Sequence, residues 1–144
     1  MTDGLRQFIY SVLWYTKSSK VQILGHGEGA VLAQATIKKY NIFNLVHALA
    51  YIAGPFHGSK QYTYLKALTG SPVSSNLAIG SDFLQDINLP DETPYDTDAQ
   101  RNERDTGIKY MTIYNGLAYG DAFFQDNPLS PALLGAHNNG LNWL

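Results

Sequence analysis

Val21-Gln22-Ile23-Leu24-Gly25-His26-Gly27-Glu28-Gly29-Ala30-Val31-Leu32 decides how the chain reads. A short apolar run meets a turn with glycine at positions 25, 27 and 29, and a helical pattern follows at once. The frame G-x-S-x-G at such a junction carries a nucleophile. Its tight turn forces the central residue into a strained backbone and lifts that side chain above the sheet. The flanking glycines are expected where a Cβ would collide with the neighbouring strand or helix. Here the centre of the frame is Gly27, so the position that should attack a carbonyl has no side chain. A phosphate-cradling turn is the other reading of such a junction. In the dinucleotide pattern G-x-G-x-x-G, Gly25 and Gly27 fit, and the third position falls on Ala30, which some variants accept. The acidic residue that ribose would want about 20 residues on is missing from Leu45 to Ala50.

Working outward, Thr2 and Asp3 are N-cap candidates for a helix to about Lys17, with Leu5, Phe8, Ile9, Val12 and Leu13 on one apolar stripe. Val21 to Leu24 is apolar or small on both faces, as in an interior strand of a parallel sheet. A helix from Glu28 to about Tyr40 precedes a second buried strand, Val46 to Ala53, in which His47 reads as a core histidine. Strand, helix, strand is the logic of a doubly wound sheet. Gly54 to Ser59 then falls at the carboxyl end of a strand, where open α/β sheets place their sites. Helices are expected near Tyr62 to Leu68 and from Ser81 to Leu89, a third strand from Ile108 to Tyr114, and a fourth beginning at Ala132-Leu133-Leu134. Asp91 to Asp105 is very polar and reads as a surface loop. Asp86, Asp91, Glu92, Asp96 and Asp98 could be weighed as calcium ligands, but a solvated loop accounts for them and no metal is assigned.

At 144 residues, 44% hydrophobic and 15% charged, the chain fits one core-forming domain. A net charge of −2 leaves no basic footprint for nucleic acid and no polybasic patch for a membrane. No apolar run approaches the ~18 residues of a transmembrane helix. The absence of cysteine excludes disulfides, thiolate zinc sites and a cysteine nucleophile. Met1 to Lys20 carries Asp3 and Arg6 and has no small-residue cleavage site, so it does not read as a signal peptide, and the compartment is left unassigned.

Several segments, taken in order, resemble one family. Val21 to Lys39 resembles V-x-I-V-G-H-S-x-G-x-x-L-A with its helix, and Ile52 to Ser59 resembles a turn often written T-P-H-x-G-S. Phe83 to Pro94, F-L-Q-D-I-N-L-P-D-E-T-P, resembles F-L-x-x-L-N-x-x-D-E-T-P and is the most distinctive of the matches. Lys109 to Tyr114 is similar to the strand before the acid of a triad, and Leu134-Gly135-Ala136 resembles the L-x-G-A-x-N that precedes the last strand. Together they resemble the secreted bacterial-type lipases and esterases of the α/β-hydrolase superfamily, the class 2 lipases, and the polyester depolymerases that share their fold.

The resemblance implies carboxylic-ester cleavage by serine, histidine and acid through an acyl-enzyme, with no cofactor. Carried over by position, Gly27 stands in the nucleophile's place, Asp121 is the candidate acid with Asp126 as alternative, and Glu28 supplies one oxyanion amide. His137 is the candidate base within the chain, although it follows the L-x-G-A segment too closely and the histidine's expected place falls beyond Leu144. His26, Pro55, Phe56 and His57 are candidate ligand-facing residues, and the upstream strand that would give the other oxyanion amide is absent.

The expected architecture is α/β: a single partial α/β-hydrolase domain over 1–144, with a mainly parallel sheet of three or four strands and flanking helices. Its elbow lies at 20–40, its polar loop at 91–105 and its acid-bearing strand and loop at 108–128. Three functional expectations follow. One is a lipase-like homologue that is inactive without its serine. Another is a Ser-to-Gly variant or excerpt of an active ester hydrolase. The third is an interaction subunit whose open sheet edge is covered by a second copy or another chain. An ester or lipid is the expected ligand. Family habit favours secretion, though none of these residues speaks to it.

Overall fold

Leu5, Ile9, Val12 and Leu13 recur at helical spacing, and Thr2–Thr16 forms α1, ended by Lys17 in the left-handed conformation. The computed structural model describes residues 1–89, 92–93, 107–115, 131–134 and 136–141. β1 is Val21–His26, α2 is Glu28–Tyr40 and β2 is Val46–Ile52. Three short helices follow: α3 (Lys60–Thr69), α4 (Pro72–Asn76) and α5 (Asp82–Asn88). β3 (Lys109–Asn115) and β4 (His137–Leu141) complete a four-stranded sheet in the order β1-β2-β3-β4, with every pairing parallel.

Parallel strands laid down in sequential order need a crossover between each pair, and right-handed crossovers all fall on one face. That face is the core. Leu49, Tyr51, Tyr110 and Thr112 are buried there, as are Ala30, Val31, Gln34 and Ile37 of α2. Full burial of an aliphatic side chain of this size contributes about 1.5–3 kcal/mol. Tyr51 is the centrepiece, its ring 4.9 Å from that of Phe56 and 6.5 Å from that of Tyr110. On the other face Ala48, Ala50, Ile52, Met111 and Ile113 are only half-buried, and Leu24 is 70% exposed.

Three expectations change. β1 is not interior, as its apolar faces suggest, but the open edge that the interaction-subunit reading expects: among the described residues it pairs with β2 alone. His47 is not a core histidine but an exposed bulge. Val21 pairs with Val46 and Gln22 with Ala48, so His47 is the extra residue. The bulge keeps both Val46 and Leu49 buried although they are three positions apart. The fourth strand does not begin at Ala132 but runs from His137 to Leu141. Leu133 is buried ahead of it in a turn closed by the Ala136 N–H on the Leu133 carbonyl.

Side chains cap only some of the helices: α1, α2 and α4 have no side-chain N-cap, and Thr2 and Asp3, expected to cap α1, lie inside it after Met1. Ser59 and Ser81 cap α3 and α5, their hydroxyls accepting from the N–H groups of Gln61 and Leu84. The Lys38 ammonium on α2 donates to the carbonyls of Asp86 at 2.7 Å, Ile87 at 3.1 Å and Leu89, which places a cation at the negative end of α5.

Candidate functional site

The turn between β1 and α2 has φ +55° and ψ −127° at Gly27, a conformation that L side chains adopt only under strain. Two hydrogen bonds fix it: Gly27 N–H donates to the Ile52 carbonyl at 2.8 Å, and Ala30 N–H donates to the Gly27 carbonyl at 3.1 Å. The first turn of α2 lies directly on the strand ends. A Cβ on Gly25 would stand 2.6 Å from Ala30 Cα, and one on Gly54 would stand 2.8 Å from Ala30 Cβ. Gly29 differs from the expectation, because a Cβ there meets no described atom within 4 Å. The same is true at Gly27. No described neighbour therefore blocks a side chain at Gly27, although its positive φ would hold any L residue there under strain.

Next to it, Glu28 opens α2, where the first backbone N–H groups have no acceptor within the helix. Its carboxylate accepts from the Tyr62 hydroxyl at 2.9 Å, which ties α3 to the elbow. Burial, then this hydrogen bond and the Glu28 charge, push the Tyr62 hydroxyl well above its ordinary pKa. Beyond β2, Ala53 takes φ +48°, an uncommon value for alanine, while its N–H holds the Ile113 carbonyl at 2.9 Å.

His57 lies in the turn that follows, its Nε2 2.8 Å from Glu92 Oε1, and the other Glu92 oxygen accepts from Leu134 N–H at 2.5 Å. The Glu92 carbonyl accepts from Gln34 Nε2 at 2.9 Å, and Gln34 Oε1 accepts from the buried Tyr51 hydroxyl at 2.7 Å. Burial, then the neighbouring Tyr110, raise the Tyr51 pKa. Around this line Asn88 Nδ2 donates to the Phe56 carbonyl at 2.8 Å, and Thr93 Oγ1 donates to the Leu134 carbonyl at 3.1 Å. Glu92 is thus a clamp joining α2, the turn after β2 and the turn before β4.

Burial alone would raise the Glu92 carboxyl pKa. The His57 hydrogen bond, the Leu134 amide and the His57 charge outweigh it and hold the value below the ordinary one. Because its folded pKa is depressed, Glu92 contributes stability above the ordinary value of 4.5, and that contribution is lost as pH falls through the folded value. Glu92→Gln should therefore melt lower than the wild type at neutral pH, and the gap should narrow as pH falls below 4.5 and close once it is under the folded value. A gap that persists unchanged into acid would show that the carboxylate charge is not what holds the clamp.

The residues singled out from sequence fall into different places. His26 ends β1 on the half-open face, exposed and opposite Ile52. Gly27, Glu28 and His57 lie at the carboxyl ends of the strands, as expected. Pro55 and Phe56 are buried, so they support the turn from within the core and do not line a ligand surface. His137 opens β4 opposite Met111 and is not brought to Gly27, because three inter-strand spacings, about 14 Å, separate β4 from β1. Asp121 and Asp126 lie outside the described residues, as does most of the polar loop from Asp91. Among the described residues no group of three or more His, Asp or Glu is placed to hold a metal ion. Nor is any helix among them long and apolar enough to cross a membrane.

Glu92, Gln34, Tyr62 and Asn138 were missed. A glutamine on the apolar side of α2 was the available signal for Gln34. The D-E-T-P and L-x-G-A-x-N matches contained Glu92 and Asn138 without revealing that each is a structural grip.

Comparison with known proteins agrees with this geometry. The family described as Lipase (class 2) matches residues 2–100. Among solved structures, phospholipase PlaB from Legionella pneumophila, in complex with thio-NAD, superposes with a TM-score of 0.61 at 19% identity, over 90% of this chain and 28% of that one. Bacillus licheniformis lipase BlEst2 in its mature form superposes with a TM-score of 0.60 at 18% identity, over 96% of this chain and 63% of that one. The chain thus spans less than two thirds of either structure, and at these identities the likeness establishes the α/β-hydrolase fold alone. No curated protein matches.

Proposed function

This chain belongs to the class 2 lipase family, and from that premise we propose a lipase-like α/β-hydrolase domain that receives an ester or lipid at its elbow without cleaving it. The observation that carries this reading is Gly27, which has the backbone of a nucleophile turn, open space for a Cβ and no atom able to attack a carbonyl. In a serine hydrolase, loss of the nucleophile lowers kcat by on the order of 10⁶, and only oxyanion and binding effects remain. Asp121 is the proposed acid and the Glu28 N–H the proposed oxyanion donor, both on the strength of the family pattern.

Incubated with p-nitrophenyl butyrate, the purified chain should release no more nitrophenol than buffer does, and a fluorophosphonate probe should leave it unlabelled. Turnover that rises in proportion to protein concentration would overturn the reading. The open seat at Gly27 favours one alternative, a Ser-to-Gly variant of an active esterase. Gly27→Ser in the complete reading frame would then acquire the label and hydrolyse the ester. The unpaired edge of β1 supports a second: a subunit paired with a second copy or another chain through that edge. A monodisperse monomer by light scattering refutes it for self-pairing.

A further inference from the structure

Glu28 follows Gly27 directly and is the acidic residue in the first turn of α2. The amino end of a helix favours negative charge and commonly receives an anion. Here the chain supplies that charge itself. The Glu28 carboxylate is held by the Tyr62 hydroxyl at 2.9 Å, and Tyr62 belongs to a separate element, α3. Because the Tyr62 pKa is raised, the hydroxyl keeps its proton at neutral pH and the grip stays a donor to the carboxylate.

Covalent geometry sets how near that charge lies to a ligand. A glutamate carboxylate reaches no more than about 6 Å from its own backbone nitrogen. A ligand oxygen that accepts from Glu28 N–H at about 3 Å therefore lies within about one screening length of the carboxylate in physiological salt. Neither the turn from Gly25 to Glu28 nor that from Gly54 to Ser59 carries a lysine or arginine to offset it. Lys60 opens α3, but side chains two positions apart on a helix do not face each other, so it is not on the side from which Tyr62 reaches Glu28. The carbonyl of an ester has no net charge and is indifferent to this field. A free carboxylate in the same place meets a second carboxylate.

We propose that Glu28, positioned by Tyr62, sets the ligand class of the elbow: it admits an intact, uncharged ester and turns away the free acid. This rests on the reading of the elbow as a site for an ester or lipid, and adds to it a residue that selects the ligand and takes part in no bond cleavage.

The test is a pair of amide chemical-shift titrations of the isotope-labelled chain at neutral pH, one with methyl hexanoate and one with hexanoate. The ester should shift the Glu28 and Gly29 amides, and hexanoate should bind roughly tenfold more weakly. Glu28→Gln keeps the side-chain length and the acceptor for Tyr62 but removes the charge. It should bind hexanoate roughly tenfold better than the wild type, because the helix end is then open to an anion, and the ester equally well. Tyr62→Phe leaves the charge but frees it to turn into solvent, so hexanoate should gain about threefold. In 1 M salt the wild-type gap should shrink. Glu28 is exposed, so circular dichroism and melting temperature of the glutamine variant should match the wild type. The proposal fails if hexanoate binds the wild type as tightly as the ester does, or if Glu28→Gln leaves the gap unchanged. An ester that binds at the elbow whatever the charge at position 28 sinks this inference alone. An ester that shifts no amide there sinks the elbow reading, and the selectivity with it.

Discussion

Gly25→Ala should destabilise the chain by about 3 kcal/mol, and Gly29→Ala, four residues along the same motif, should stabilise it by about 0.5–1 kcal/mol. The opposite signs follow from what each new methyl would meet. At Gly25 it would stand 2.6 Å from Ala30 Cα and 2.9 Å from Ala30 N, both backbone atoms of α2 that cannot swing aside. The first turn of the helix would have to lift off β1, breaking the contact that shapes the elbow. At Gly29 there is open space and ordinary helical backbone, so alanine only reduces the entropy of the unfolded chain. Urea unfolding measures both. For a domain of this size the first change corresponds to a fall in Tm on the order of 10 °C. If Gly25→Ala costs less than about 1 kcal/mol, the close approach of α2 to β1 is not what fixes the turn.

The second large effect is expected at Asn138→Ala. The Asn138 carboxamide oxygen accepts from Thr112 Oγ1 at 2.6 Å and from Leu133 N–H at 3.1 Å, and its nitrogen donates to the carbonyls of Leu133 at 2.9 Å and Ala136 at 3.1 Å. Thr112 and Leu133 are buried whereas Asn138 is itself exposed, so truncation strands those of their polar groups that water entering past residue 138 does not reach. Each stranded group costs about 1–3 kcal/mol, and a loss of about 3 kcal/mol is expected in total. Asn138→Asp keeps the acceptor and loses the donors, so it should fall between wild type and alanine. Thermal melts rank the three. Faster hydrogen exchange at the Leu133 amide would locate the damage, and an alanine variant as stable as wild type would refute the grip.

These two sites also show what could be read from sequence and what could not. The strand–turn–helix was readable because its signal is local: a short apolar run, then glycines, then period 3.6, within a dozen positions. The clamp was not, because Glu92 meets partners 35 and 42 positions away, and nothing near it in the chain distinguishes it from a solvated acid. β4 was misplaced for a related reason. His-Asn-Asn-Gly-Leu has no apolar alternation, so backbone pairing with β3 and the Asn138 amide define that strand where hydrophobic pattern cannot. Val46 to Ile52 looked like an uninterrupted buried run, which hid the bulge that turns His47 outward. Pro55 and Phe56 were assigned to a ligand wall because they follow a strand end. The phenyl ring instead folds back onto Tyr51, and the turn's outer face is left to His57.

The order of the strands has a consequence in time as well as in space. β1, α2 and β2 are joined by short connections, so their contacts close small loops. β3 finds β2 only after the long stretch between Ile52 and Lys109 has been drawn together. Closing a long loop costs entropy before any ladder bond is formed. β4 has no place until β3 has docked, since among the described residues β3 is the strand that sets its register. The half of the sheet that bears the glycine turn is therefore assembled from nearby chain and comes early. The half that bears β3 and β4 is expected to come late, and hydrogen exchange should show its amides opening before those of β1 and β2.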